Sequence, residues 1–215
     1  MMIISEQLLL TLFFATIVYF HVAKKNYGVA ITYGIQSFIV VLLLLNSFME
    51  TNSVSLLLIA FIVLIVKVIL TPLFIIQLIK KHELKFLVSS YTNTPITLIV
   101  VAMLTAVAHL NIFKSLVNIV PGNQSLLLLA LSSLLISLFL IVNRKGASSQ
   151  IIGILSLENS IVVFAFFAGL EQATALQIGI IFDLSVWIIT ATVFMSMIYR
   201  HFGSLDVTEM KNLKD

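Results

Sequence analysis

Three ionisable residues lie inside long apolar runs of this chain: Lys67, Glu158 and Asp183. A Lys or Asp at the centre of a membrane helix costs about 2.5–3.5 kcal/mol by insertion scales. Three such groups left unpaired would forfeit on the order of 8–10 kcal/mol. Pairing in the protein interior, or water, must offset that cost. Burial disfavours the charged form of acids and bases alike, so groups placed this way can exchange protons during a conformational or redox cycle. Two readings follow. The three residues form a segment of a proton or ion path, or they form a buried ion pair that locks helices together. Intramembrane ionisable residues mark a path by default, and three of them near one depth favour it. Gln36 and Asn159 are the polar neighbours best placed to hold bridging waters. Ser156, Ser160, Thr190 and Thr192 read as ordinary hydrogen bonding between helices. Thr71 and Pro72 follow Lys67 closely and predict a kink that frees backbone carbonyls.

The elements that carry these groups follow from composition. Hydrophobic residues make up 60% of the 215 residues and charged residues 10%. A soluble domain has about 45–50% apolar and about 25% charged residues. A globule could not hide this much apolar surface, whereas a bilayer can. Crossing a hydrocarbon core takes about 20 apolar residues in a helix. Candidate spans cover residues 3–22, 27–49, 54–79, 95–113, 125–142, 150–170 and 174–199, and the breaks between them are short and polar. The runs are continuous rather than alternating, which favours helices over a barrel. The expected fold is an all-α integral membrane protein of about seven transmembrane helices, a single membrane domain with no soluble part. The start of the chain lacks the basic region of a signal peptide and reads as the first anchored helix. Residues 84–94 are semi-polar and are expected on the membrane surface. Glu158 then lies roughly 13 Å from one end of its helix, Asp183 roughly 13 Å and Lys67 roughly 20 Å from the other. All three fall near the midplane.

Orientation follows from the basic residues. Lys24, Lys25, Lys80, Lys81, Lys85, Arg144, Lys145, Arg200, Lys211 and Lys214 fall on one side of the membrane, and Lys114 on the other. Cytoplasmic loops attract Lys and Arg. The N-terminus is therefore expected outside and the C-terminus in the cytoplasm.

Several chemistries are disfavoured. The chain has no cysteine, so thiolate-held iron–sulfur, nickel or zinc centres are excluded. His21 and His109 fall at opposite faces of the membrane and cannot share one haem, while His82 and His201 sit in polar breaks. No phosphate loop, nucleophile elbow or metal-ligand spacing occurs, so no cofactor and no metal is expected. A formal charge of +3 does not suggest nucleic-acid binding. An intramembrane Lys and Asp on seven helices also suit a retinal protein. That family carries its lysine in the last helix among many aromatics, whereas Lys67 is in the third and Trp187 is the one tryptophan.

The runs Tyr33-Gly34-Ile35-Gln36-Ser37, Lys67-Val68-Ile69-Leu70-Thr71-Pro72-Leu73, Gln150 to Asn159, Ile178-Gly179-Ile180-Ile181-Phe182-Asp183 and Phe202-Gly203-Ser204-Leu205-Asp206-Val207 resemble component E of hydrogenase-4. That family belongs to the membrane arm of group 4 [NiFe] hydrogenases, as in formate hydrogenlyase-type complexes. The likeness spans nearly the whole chain. Its most specific part is the combination of the Lys-x-x-x-x-Pro helix, the Leu-Glu-Asn helix and the Ser-Leu-Asp-Val tail. Residues 150–215 also resemble the small K subunit of respiratory complex I and the C subunit of multi-subunit cation/proton antiporters. Aligned through Asn159, the first acid of the K subunit falls on Leu155, and Glu158 lies three residues later. The carboxylate keeps its helix face and changes depth.

The resemblance implies a non-catalytic subunit in a bacterial or archaeal cell (inner) membrane. Its partners would be antiporter-like membrane subunits and, through them, a soluble [NiFe] hydrogenase module. Two alternatives stand beside it: a subunit of a cation/proton antiporter, and a purely structural anchor. The tail 201–215 is long enough to clasp an adjacent subunit. A reporter active only outside the cytoplasm is expected to be inactive when fused after Asp215 and active when inserted at Asn123. The reverse pattern would overturn the orientation.

Overall fold

The computed structural model describes residues 5–81, 90–113, 116 and 124–170, with single positions 178, 189, 192, 193, 196, 197 and 200. The expected last span, 174–199, the tail 201–215 and residues 82–89 of the semi-polar segment thus lie largely or wholly outside the described residues. Regular structure among the described residues is helical. The helices are α1 (Glu6–Val22), α2 (Asn26–Thr51), α3 (Val54–Val63), α4 (Thr71–Lys81), α5 (Thr94–Ala108), α6 (Gln124–Asn143) and α7 (Ala147–Phe167). A wide π turn, Leu64–Leu70, joins α3 to α4 without a break.

Four helical stretches are long and apolar enough to cross a membrane: Asn26–Thr51, Val54–Gln77, Gln124–Asn143 and Ser149–Phe167. Glu6–Val22 and Thr94–Ala108 are apolar but shorter. The outer surface suits lipid. Leu56, Ile59, Ala60 and Val63 bury one face of α3, while Val54, Leu57, Leu58, Phe61 and Ile62 expose the other. A water-facing helix would carry polar residues there.

Helix ends follow local chemistry. Asn52 closes α2 in the left-handed conformation and donates its backbone N–H to Phe48 O at 2.8 Å, a role Asn tolerates better than most residues. Asn93 caps α5 by accepting from Ile96 N at 3.1 Å, and Pro95 sits in the first turn, where its missing N–H costs nothing. The sequence predicts a longer helix here, over 95–113. Instead α5 ends at Ala108, and the His109 ring nitrogen takes the Thr105 carbonyl at 2.8 Å. The His109 backbone N–H then turns to Ala106 O at 3.1 Å, and a 3-10 turn, Asn111–Phe113, follows. A side chain that takes the carbonyl four residues back competes with the backbone N–H for it.

Helix α2 is the hub. It packs on α1, α3, the π turn, α4 and α7. Helices α6 and α7 form the closest antiparallel pair, and α5 lies against α6 and α1. Two apolar clusters fill the interior. The larger includes Leu9, Phe13, Leu43, Leu56, Leu127 and Val163. The smaller surrounds Tyr33 with Phe20, Ile75, Ile79, Leu140, Ile152 and Leu155.

The end of the bundle that carries Lys24, Lys25 and Lys145 is tied together by Arg144. Sequence reading places Arg144 in a polar break, yet it is almost fully buried. Its guanidinium donates to the Phe20 and Ala23 carbonyls, the orphan acceptors at the C-terminus of α1. Burial pushes it down from the ordinary arginine range to about 10, so it stays cationic at neutral pH. Next to it, Asn143 accepts from Thr92 N at 3.1 Å and from Thr92 Oγ1 at 2.8 Å, pinning the segment before α5 to the end of α6.

The α6–α7 seam is tight at Gly153, where an added Cβ would lie 3.0 Å from Ile141 Cγ1 and 3.3 Å from Ile141 Cα. Gly153→Val is expected to destabilise the detergent-solubilised protein by about 1–3 kcal/mol through overpacking. Adding Ile141→Ala should recover part of the loss. Thermal unfolding of wild type, single and double variants checks this, and equal stability of Gly153→Val and wild type would contradict it.

Candidate functional site

The site is built on α2, the π turn and α7, with α6 behind. Lys67 occupies the middle of the π turn and is 2% exposed. The predicted irregularity near Pro72 is present, but it takes the form of this wide turn on the N-terminal side of the proline. The Thr71 backbone N–H reaches back to Val66 O, and its hydroxyl donates to the same carbonyl at 2.8 Å. Pro72 brings no N–H to the ladder. Gly34 of α2 makes room for the ring: a Cβ there would lie 3.2 Å from Pro72 Cγ. Wide turns of this kind concentrate at functional sites, and here one seats a lysine roughly 20 Å from the start of α3.

Lys67 Nζ lies 2.9 Å from Glu158 Oε1. The contact is a charge pair whose direction falls outside good hydrogen-bond alignment. Lys67 Nζ also donates to Asn159 Oδ1 at 3.1 Å. The Asn159 amide passes the connection on, donating to Ser37 Oγ at 3.0 Å and to Gln36 Oε1 at 3.4 Å. Gln36 Nε2 in turn donates to Ser156 Oγ at 3.0 Å. Ser156 lies 3.5 Å from Ser137 of α6, and Ser137 lies 2.8 Å from Ser160. Apart from Glu158, at 18%, every member of this network is almost fully buried. Its spacing on α7 is helical: Ser156, Asn159 and Ser160 share the face turned to α2 and α6.

The structure therefore brings together four of the five residues singled out in the sequence: Lys67, Glu158, Gln36 and Asn159. Asp183 lies outside the described residues. Sequence reasoning passed over Ser37, Ser137, Ser156 and Ser160, taking the α7 serines for routine interhelical bonding. Their signal was positional, since three of them lie within one turn of a residue already chosen. His21 also sits deeper than its place at the end of an apolar run suggests. It is buried, stacks on Phe139 at 5.2 Å and bonds the Ile136 carbonyl at 3.2 Å through Nε2. A carbonyl only accepts, so Nε2 carries the proton and Nδ1 keeps its lone pair. Among the described residues no cluster of His, Asp and Glu could hold a metal ion.

Chemically the arrangement is an ammonium–carboxylate pair at mid-depth, continued by amides and hydroxyls across three helices. Such a chain can hold charge away from lipid and can pass protons between groups that both donate and accept. It offers neither a nucleophile–base pair nor a phosphate cradle.

Fold and site together define a helical chain compatible with a multi-pass membrane protein and built around a buried ion pair. Over 124 residues it is 31% identical to the uncharacterized protein Rv0085 of Mycobacterium tuberculosis (strain ATCC 25618 / H37Rv), covering 57% of this chain and 56% of that one. The chain thus spans about half the length of the curated relative it matches. No family model and no solved structure matches it.

If the pair is a unit, removing one partner leaves a buried charge. Lys67→Met is expected to destabilise the fold by about 3–5 kcal/mol. The double variant Lys67→Met with Glu158→Gln should recover most of that. Denaturation in mild detergent checks it, and additive losses in the double variant would show that the two residues act independently.

Proposed function

We propose that this chain is a non-catalytic membrane subunit of a complex I-like, membrane-bound hydrogenase, and that the Lys67–Glu158 pair is part of its proton or cation path. The observation that carries the reading is the continuation of the pair into Asn159, Gln36, Ser37, Ser156 and Ser137. A static lock is complete once ammonium meets carboxylate and asparagine. That lock does not itself call for the further hydroxyls and amides at the same depth, which would otherwise serve only to bridge helices. A path does, because each of these groups accepts on one side and donates on the other.

In this reading the chain crosses the membrane about seven times, with its N-terminus outside, and Asp183 joins Lys67 and Glu158 in the relay. Gln36 and Asn159 hold the shape of the path. Hydrogen chemistry resides in a partner module, reached through antiporter-like membrane subunits. The resemblance to component E of hydrogenase-4 supplies the partners, and the mid-depth pair supports the role.

One observation favours the structural alternative. Asn159 holds the lysine from one side while the carboxylate holds it from another, as a lock between the π turn and α7 requires. The two readings part on Glu158→Gln, which keeps shape and loses titration. In the assembled complex this variant is expected to preserve assembly and abolish proton translocation coupled to turnover. Coupling at the wild-type level in Glu158→Gln membranes would remove Glu158 from the path and leave the lock.

A further inference from the structure

The buried Tyr33 hydroxyl belongs to none of the contacts above. Tyr33 is completely buried within the smaller apolar cluster, among Phe20, Ala30, Leu140, Ile152 and Leu155. Its hydroxyl approaches Ser37 and feels the Glu158 carboxylate, yet it meets no partner at good hydrogen-bond geometry. Burying a hydroxyl without a partner is costly, and native proteins rarely leave one without a reason. A phenylalanine would fill the same space at no such cost.

Position along α2 gives the reason a direction. Asn26, Ala30, Tyr33 and Ser37 recur at helical spacing on one buried face. At the basic end of that face, Asn26 is buried against Ser149, whose hydroxyl lies 3.5 Å from Asn26 Oδ1. Between Asn26 and Ser37 this face of α2 is apolar except for the Tyr33 hydroxyl. Toward the opposite end, the same face of α2 runs through Val40, Val41 and Leu44 before it meets Ser47. On this face of α2 the Tyr33 hydroxyl thus lies as a polar stepping stone between the basic end and the ion pair, and its apolar collar includes the small Ala30.

We propose that Tyr33 is the inner end of a water access route from the basic end of the bundle to the Lys67–Glu158 pair, its hydroxyl positioning water between the collar and Ser37. The purpose of the route rests on the relay reading, but its existence does not. Tyr33 is a positioning residue, acting on Glu158 through water and Ser37.

The absence of cysteine from the chain makes the test clean. Single variants Tyr33→Cys and Ala30→Cys are made in the full chain and examined in sealed membrane vesicles of both orientations. Silver ion, a water-borne cation small enough for such a route, is added from one side. Thiols that remain free are then counted with a fluorescent maleimide after denaturation. Lys24→Cys marks the basic side, and Leu43→Cys and lipid-facing Ile35→Cys serve as dry controls. Silver is expected to abolish maleimide labelling of Tyr33→Cys and Ala30→Cys only when added on the side where it blocks Lys24→Cys. Leu43→Cys should keep its labelling from either side. If both collar positions stay free, or are blocked equally from both sides or only from the far side, the route is wrong. Ala30→Cys is a small-for-small change and carries the test if Tyr33→Cys fails to fold. Sided labelling with normal coupling in Glu158→Gln would keep the route and sink the relay. Dry positions with lost coupling would do the opposite.

Discussion

A lysine ammonium cannot face hydrocarbon, and most of this architecture can be read as the answer to that constraint. Lys67 sits near the middle of a helical stretch whose outer face is apolar, so its charge must turn inward. Glu158 meets it at 2.9 Å and Asn159 at 3.1 Å. Those contacts require α7 to approach the π turn, and both to approach α2, which supplies Gln36 and Ser37. Small residues make that approach possible. Gly34 admits the Pro72 ring, and Gly153 admits the Ile141 backbone. Serines replace bulk at the crossing of α6 and α7. Close packing through small residues and polar bridging is how helices associate where lipid removes the hydrophobic drive.

The same constraint explains the irregular backbone. A straight α-helix through Thr71 and Pro72 would leave a carbonyl facing the proline ring without a donor. The turn before the proline is widened instead, and there the Thr71 N–H and hydroxyl both serve Val66 O. The widened turn also fixes the direction in which Lys67 points. Apolar clusters close the site from both sides, keeping the pair in low dielectric, where each of its contacts counts for more.

Much of this was legible in the sequence, for particular reasons. The helical runs were, because continuous apolar stretches of about 20 residues have few other uses. Observed helices begin and end within a few residues of the expected runs in α2, α6 and α7. The α5 end is not legible in the sequence, because no hydropathy pattern encodes the local turn from Ala108 to Phe113. Lys67, Glu158, Gln36 and Asn159 were found because each is a polar residue of a costly type in an apolar run. Ser137 and Ser37 were not, because a serine can bond its own helix backbone, as Ser132 and Ser133 do here, and only the fold says which ones look across. By sequence Arg144 is a charge in a polar break. Its capture of the α1 carbonyls depends on the meeting of two helix ends far apart in the chain.

The proposed function requires that the Glu158 carboxylate, held by Lys67, takes up and gives up a proton while the proposed complex works. Infrared difference spectroscopy of membranes carrying the full complex, with the chain's glutamates isotope-labelled at the carboxyl carbon, reads that event directly. A protonated-carboxyl C=O band that shifts with the label, vanishes in Glu158→Gln and grows and decays with turnover is the expected result. A Glu158 carboxylate that remains ionised through every state of turnover would contradict the account and reduce the pair to a lock.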